Sequence, residues 1–400
     1  MKTSKREELQ QEISLIEETL STATARYREL TKQHLALRGS KREAHKTALQ
    51  EARDYAWELE KRLAKAKCDT LKLELIEPQQ DARQQSKLRQ ELARWEARYA
   101  KLLSRLDHDE WLELTRSVWP FKDTESNAKT GLHPAQFSAV IPYRAIKMYS
   151  YVDEIVLDPF VGTGTTLLEA RKLGRHSIGL DINSEFLELA RRRLENEPLV
   201  EQATGLGDKS GAFEQLSLLE TRKRYVVDES HLHNYEPILC LDDARKMQTV
   251  EDNSIDLIVT HPPYWNAVQI SELDDDLSNV GDDQYDYFLS EMGKVFDQFR
   301  RVLKPDRVVV IVIGDVMRKV NGITQLFPIH SDFIQLMKDR GFVTWDIFIW
   351  ETKIRTSGGK PLMGSYPYPH KLFSQFAHNY VLVFRKLGDL SEGNRAELAQ

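Results

Sequence analysis

The chain has 400 residues, 41% of them apolar and 30% charged, which suggests two or three domains with ample material for a core. No stretch reaches the roughly 20 apolar residues of a membrane span, and two cysteines, Cys68 and Cys240, exclude a disulfide framework or a Cys-x-x-Cys zinc site. A net charge of −6 is not the strongly basic balance of a simple nucleic-acid binder, so any polyanion has to be held by local patches. The basic clusters are Arg171, Lys172 and Arg175; Arg191, Arg192 and Arg193; Arg222, Lys223 and Arg224; and Lys353, Arg355 and Lys360. Solvated faces are the ordinary role of such runs. The opening MKTSKREELQQE has no apolar segment, so a secretory signal is not expected and the cytoplasm is.

Residues 1–108 contain a single glycine, Gly39, and a single proline, Pro78. Leu9, Ile13, Ile16, Leu20, Ala23, Tyr27, Leu30, His34 and Leu37 alternate in steps of four and three. The rhythm returns from Leu49 through Leu59 and Leu63 to Leu73, and again from Leu88 through Trp95 to Leu106. A stripe of this period predicts helices that pack as a coiled coil or long hairpin, on each other, on a second copy, or on the following domain. The segment carries no chemistry and is expected to be an oligomerisation or docking arm, giving a homodimer or a complex.

From residue 109 to about 390 the texture changes to short apolar runs separated by amphipathic stretches. In chain order the runs are EIVLD (154–158), HSIGLDIN (176–183), PILCLDDA (237–244), IDLIVTH (255–261), RVVVIVIGD (307–315), TWDIFIWET and YVLVFRK. TTLLEARKL, EFLELARRRL and YFLSEMGKVFDQFRRVL have helical spacing, the last ending at Lys304-Pro305. This alternation predicts a Rossmann-like, doubly wound α/β sheet with helices on both faces, preceded by the helical arm. The two late runs lie close in sequence and are expected to form an antiparallel edge pair. Residues 198–236 are polar and patternless, an insertion or mobile loop, and 391–400 read as a disordered tail.

Four strand ends carry candidate chemistry. Asp158-Pro159-Phe160-Val161-Gly162-Thr163-Gly164-Thr165-Thr166 joins a strand to a helix, where glycines let a ligand approach and the helix start offers N–H donors. Asp181 closes the next strand about 20 residues on, where a carboxylate can accept from ribose hydroxyls. Asp243 closes the third. The fourth ends in Thr260-His261-Pro262-Pro263-Tyr264-Trp265. Consecutive prolines fix the carbonyls of His261 and Pro262, which suits an amino group held at one angle, while Tyr264 and Trp265 offer faces on which a planar base can stack. No Gly-Lys-Ser/Thr follows the glycines, so a Walker-type nucleotide site is not expected. Metal binding is not expected either: His231 and His233 are close together but have no partner pattern around them.

DPFVGTGTT, GLDIN, LDDARKM and VTHPPYW together resemble the amino-group DNA methyltransferases of the N4-cytosine/N6-adenine type. HPAQFSAVIPYRAIKMYS (133–150) and the later RVLKP…VVVIVIGD and SYPYP…NYVLVFRK agree, so the likeness spans roughly residues 110–387. The resemblance implies an enzyme that uses S-adenosylmethionine on double-stranded DNA. Phe160, Gly162, Gly164 and Thr165, with Asp158, would cradle the methionine part, and Pro134 and Phe137 would close over it. Asp181 would hold the ribose and Asp243 the adenine amine. His261, Pro262, Pro263 and Tyr264 would form the catalytic pocket.

One position departs from the family pattern, which has Asp, Asn or Ser where this chain has His261. Neutral histidine accepts a hydrogen bond through one ring nitrogen; imidazolium does not. So His261 works neutral, or the Pro262 carbonyl does the orienting, or the target differs. Thr260 and Trp265 around the prolines resemble the pattern associated with cytosine N4, favoured here over adenine N6. The implied mechanism is direct methyl transfer to the exocyclic amine of a flipped base, with no cysteine nucleophile and no metal. Two other readings fit the same residues: an RNA base amino-methyltransferase, and a non-catalytic methyltransferase-fold scaffold subunit. Recognition of bases would fall to residues 198–236, 267–285 and 351–371.

Overall fold

The computed structural model describes residues 2–36, 40–76, 82–106, 108–120, 138–196, 235–352, 356–357, 360–361 and 376–388. The chain divides into two compact units, Met1–Arg105 and Leu106–Gln400. No helix among the described residues is long and apolar enough to cross a membrane.

The first unit consists of α1 (Lys2–Ala36), α2 (Ser40–Leu75) and α3 (Ala82–Ser104). The expected stripe is its seam: Ile13, Ile16 and Ala23 of α1 meet Leu59, Leu63 and Ala66 of α2. Ion pairs Arg6–Glu74 (2.8 Å) and Lys67–Glu17 (3.0 Å) show the two helices running antiparallel. The stripe is therefore covered inside one chain, and its periodicity by itself requires no second copy. Helix α2 buries a second stripe outside the expected register, Trp57, Ala64, Cys68 and Leu71. The cause is α3 on its other side, where Trp57 Nε1 donates to the Leu102 carbonyl (3.1 Å) and Lys72 pairs with Glu96 (3.0 Å).

The second unit begins with α4 (His108–Leu114), β1 (Val118–Trp119) and α5 (Val140–Tyr149). Then come β2 (Ile155–Asp158), α6 (Thr165–Lys172), β3 (His176–Asp181), α7 (Ser184–Asn196), β4 (Ile238–Leu241) and β5 (Ile255–Thr260). The chain continues with α8 (Tyr285–Val302), β6 (Leu303–Ile313), β7 (Val316–Val320), β8 (Ile323–Phe327), α9 (Ile329–Asp339) and β9 (Phe342–Glu351). Two-residue strands β10 (Thr356–Ser357) and β11 (Lys360–Pro361) and the long β12 (His378–Lys386) complete it. Eight strands form one sheet in the order β1-β9-β12-β6-β5-β2-β3-β4. Every neighbouring pair is parallel except those made by β12.

The central strands are apolar along their whole length because helices cover both faces. In β6, Val308, Val310 and Val312 face α5, sharing a cluster with Ile141, Ala145 and Ile146. Val309, Ile311 and Ile313 face the other way, toward Phe288, Phe296 and Phe299 of α8 and Phe333 of α9. This is the expected doubly wound α/β fold. The late runs do pair antiparallel, but not at the edge: β12 is inserted between β6 and β9, and Val381, Leu382, Val383 and Phe384 are all buried. A run buried on both faces belongs inside a sheet, and the short β1 takes the edge beside β9. The hairpin β7–β8 has no counterpart among the expected elements.

Candidate active site

Strand order reverses between β2 and β5, where chain connections diverge to opposite sides and open α/β sheets bind ligands. After β2 the chain turns through Gly162 (φ 48°) and Gly164 (φ 81°) into α6. Left-handed backbone is strained for a residue with a Cβ. Gly164 also faces α7, where an added Cβ would lie 3.4 Å from the Ala190 Cβ. Gly164 caps α6 without a side-chain acceptor, so the helix start keeps N–H donors and partial positive charge toward the turn. Arg193 of α7 braces the turn from behind, donating to Thr165 Oγ1 at 2.8 Å and to the Thr163 carbonyl at 3.3 Å.

Asp158 is 1% exposed. Its oxygens accept from the Phe160 N–H (3.1 Å), from Thr166 Oγ1 at the start of α6 (2.6 Å), and from Thr260 Oγ1 at the end of β5 (2.8 Å). Burial pushes this carboxyl up to about 6, against the pull of the Thr166 and Thr260 hydroxyls. Three protein donors thus converge on Asp158, which clamps the glycine turn to the residue preceding His261.

Asp181 ends β3 half-buried, accepting from the Gly162 N–H (3.0 Å) and the Asn183 N–H (2.9 Å). Burial raises it to about 6, partly offset by these N–H groups. Asp243 lies beyond the end of β4 and accepts from both the backbone and the guanidinium of Arg245 (2.9 Å each). Although burial works the other way, that guanidinium holds Asp243 below the usual carboxylate range. Arg245 is in turn fixed by Glu291 at 2.9 Å.

Beyond β5, His261 and Tyr264 are half-buried and Pro262 and Pro263 are buried. His261 Nε2 lies 2.7 Å from the Tyr264 hydroxyl, with the two rings edge to face. Gly314, just past β6, abuts the tyrosine: a Cβ there would come within 2.7 Å of Tyr264 Cε2. Trp265 does not offer a stacking face. It is fully buried at φ 51° and packs on Tyr285 and Phe327, with ring centroids 5.0 and 4.9 Å away. Its size and apolar surface draw it into the core, and the neighbouring Tyr264 packs partly buried against the same cluster.

The structure thus brings Phe160, Gly162, Gly164, Thr165, Asp181, His261, Pro262, Pro263 and Tyr264 to adjacent C-terminal strand ends, with Asp243 beyond the end of the outer strand β4. Pro134, Phe137, His231, His233, Arg222, Lys223, Arg224, Lys353 and Arg355, residues 198–234 and the tail at 391–400 lie outside the described residues. Sequence reasoning missed Arg193, Gly314 and the bracing role of Asp158. In the sequence Arg193 is one of a run of three arginines, and its helical spacing from Ala190 is the signal that it faces the turn. Two of the basic clusters are occupied internally: Arg175 is buried against Ser150, Arg171 donates to the Leu194 carbonyl, and Arg191 and Arg192 pair with Glu188.

The N6/N4 DNA methylase family model matches residues 13–192 and 255–395. Type II methyltransferase M.MjaI of Methanocaldococcus jannaschii is 32% identical over 166 residues, 36% of this chain and 54% of that protein. M.MthZI of Methanothermobacter thermautotrophicus is 35% identical over 159 residues, 36% of this chain and 43% of that one. The chain spans about half the length of the curated relatives it matches. Among solved structures, a Thermus thermophilus protein complexed with S-adenosyl-L-methionine is 26% identical, over 39% of this chain and 59% of that one, with a TM-score of 0.27. An S-adenosylmethionine-dependent methyltransferase from Methanosarcina mazei is 16% identical, over 60% of this chain and 96% of that one, with a TM-score of 0.36. With most of the sequence inside the family match, the chain belongs to the N6/N4 DNA methylase family.

Proposed function

We propose that the chain is a site-specific DNA methyltransferase that moves a methyl group from S-adenosylmethionine to the exocyclic amine of a flipped base, cytosine N4 in preference to adenine N6. The observation that carries this reading is the Asp158 clamp, which ties the start of α6 to the residue before His261 through one buried carboxylate. A cofactor turn and an amine slot so joined can hold two reactants at one distance, and positioning of that kind supplies much of the rate of a direct transfer.

The chain's residues suit the cofactor. Gly162 and Gly164 keep side chains out of the turn, the start of α6 offers N–H donors to a carboxylate, and Asp181 accepts from hydroxyls. Asp243 retains acceptor capacity on Oδ2 for an adenine amine, because a carboxylate has about four acceptor positions. When bound, S-adenosylmethionine supplies an electrophilic methyl group on a sulfonium. The target base stacks on Tyr264 after leaving the duplex, at a cost of a few kcal/mol. The Pro262 carbonyl, fixed by the prolines, accepts one amine hydrogen. The His261 ring accepts from the amine only in its neutral form, since imidazolium has no acceptor nitrogen. The methylated nitrogen must then release a proton, and His261 is the group in the His261–Tyr264 segment with a basic nitrogen to take it. Neither cysteine competes as a nucleophile: Cys68 is buried in the helical arm with its thiol pushed up to about 11, and Cys240 lies within β4.

The test is methyl incorporation from labelled S-adenosylmethionine into duplex DNA and into tRNA, with sequencing of modified bases in a methylation-free host. Label in DNA as N4-methylcytosine is the expected result. Label in tRNA alone would favour the RNA reading, and no cofactor binding in calorimetry would favour the scaffold. We read the helical arm as a docking element of a cytoplasmic restriction-modification system; concentration-dependent sedimentation of the full chain tests self-association.

A further inference from the structure

The hairpin β7–β8 is joined to the catalytic loop at both ends. Arg318 of β7 donates from Nε to the Asn266 side chain (2.9 Å) and from a terminal nitrogen to the Asn266 carbonyl (2.7 Å), two residues after Tyr264. Phe327 at the end of β8 packs on Trp265, itself held at a positive φ that non-glycine residues seldom adopt. The register places Val316, Arg318, Val320, Ile323, Gln325 and Phe327 on one face of the ribbon and Met317, Lys319, Thr324 and Leu326 on the other. Beside the Asn321-Gly322 turn Ile323 is 67% exposed, and a Cβ on Gly322 would meet nothing within 4 Å; Leu326, 48% exposed, lies nearer the base of the hairpin opposite Met317.

Charge narrows the occupant. Between Val316 and Phe327 the charged residues are Arg318 and Lys319, both basic; Arg318 is turned to Asn266 and lies 3.8 Å from Asp282, which leaves Lys319 as the exposed base of the hairpin. The neighbouring loop 267–285, a candidate for base contacts on sequence grounds, carries Glu272, Asp274, Asp275, Asp276, Asp282 and Asp283 and no base, which disfavours phosphate there. Apolar side chains in water at the tip of a basic ribbon are also how proteins enter a base stack.

We propose that this hairpin is the element that meets the DNA duplex beside the extruded base, with Lys319 on a phosphate and Ile323, at the tip, as the apolar wedge against the opened step. The inference rests on the DNA methyltransferase reading above. Arg318 and Phe327 then transmit engagement of the tip to the segment carrying Tyr264.

The experiment uses the full chain and chromosomal DNA from a methylation-free host, as duplex and as heat-denatured single strands. The variant Ile323→Ser is expected to methylate duplex DNA about tenfold more slowly and single strands within about twofold of the parent protein, because an unstacked base needs no wedge. Lys319→Glu is expected to weaken duplex binding and lower its salt slope by about one. Unchanged duplex methylation, or equal loss on both DNA forms with cofactor binding intact, overturns the proposal; equal loss with pull-down of a second protein subunit assigns the tip to that partner instead. Failure of the parent protein to methylate either DNA form is a different result, and it overturns the underlying reading.

Discussion

The turns after β2 and after β5 leave adjacent strands side by side, yet their backbone chemistry is opposite. The first is built on glycines at positive φ and ends in an uncapped helix start, so it presents N–H donors. The second is built on two prolines, which have no N–H, so it presents carbonyl acceptors. The sheet supplies their proximity, and residue choice at each turn supplies polarity. A turn of donors suits a carboxylate, and a turn of acceptors suits an amine. Asp158 holds one to the other.

Breaking the acceptor turn has the largest expected effect. His261→Ala lowers kcat by roughly 10²- to 10⁴-fold while cofactor affinity in calorimetry stays unchanged, and His261→Asn recovers part of the rate. Equal loss of cofactor binding would move His261 out of the amine slot. Breaking the clamp comes next. Asp158→Ala leaves the Thr166 and Thr260 hydroxyls without their buried acceptor, at about 1–3 kcal/mol each in urea unfolding, and reduces cofactor affinity and kcat together. A loss confined to one of them would show that the turns are not coupled.

The donor turn alone is altered by Gly164→Ala. Left-handed backbone there (φ 81°) costs about 1–2 kcal/mol with a Cβ, so the cofactor Kd rises about tenfold with kcat preserved at saturation. On the other side, Gly314→Ala presses on Tyr264 and on Asn379 Oδ1, 2.5 Å from the new Cβ. Displacing the ring from its rotamer raises KM for DNA about fivefold without changing cofactor affinity.

The smallest effect is in pH. Burial holds Asp158 and Asp181 near 6, so the folded protein keeps protons that the unfolded chain releases at about pH 4. From these two groups, stability rises as pH falls from about 6 toward about 4, and their penalty on the fold is complete above 6. Cofactor affinity moves the other way, because a protonated Asp181 accepts less well. It falls about fourfold between pH 7 and pH 5.5, read by calorimetry beside thermal unfolding.

Much of this was legible in the chain. The step of three and four from Leu9 to Leu30 marks the face of α1 that meets α2, because helical period and burial are one property. RVVVIVIGD reads as a strand covered on both sides, as β6 is. Trp265 read wrongly because a tryptophan beside a diproline looks exposed until its turn angle is known. The second stripe of α2 was hidden because a helix between two partners loses the single-face pattern. The hairpin β7–β8 was missed because Asn321-Gly322, a strong turn signal, sits between strands too short and too polar to stand out.

By itself the sequence determined the elements that local chemistry controls: helical stripes, buried strands, a glycine turn that opens and a proline turn that stiffens. Folding in three dimensions set which of those ends lie together, that β12 enters the sheet between β6 and β9, and that Arg193 and Asp158 brace the glycine turn. A side chain's type fixes what it can donate, accept or bury, whereas its partner is fixed by pairings between strands far apart in the chain, as between Asp158 and Thr260, 102 residues apart.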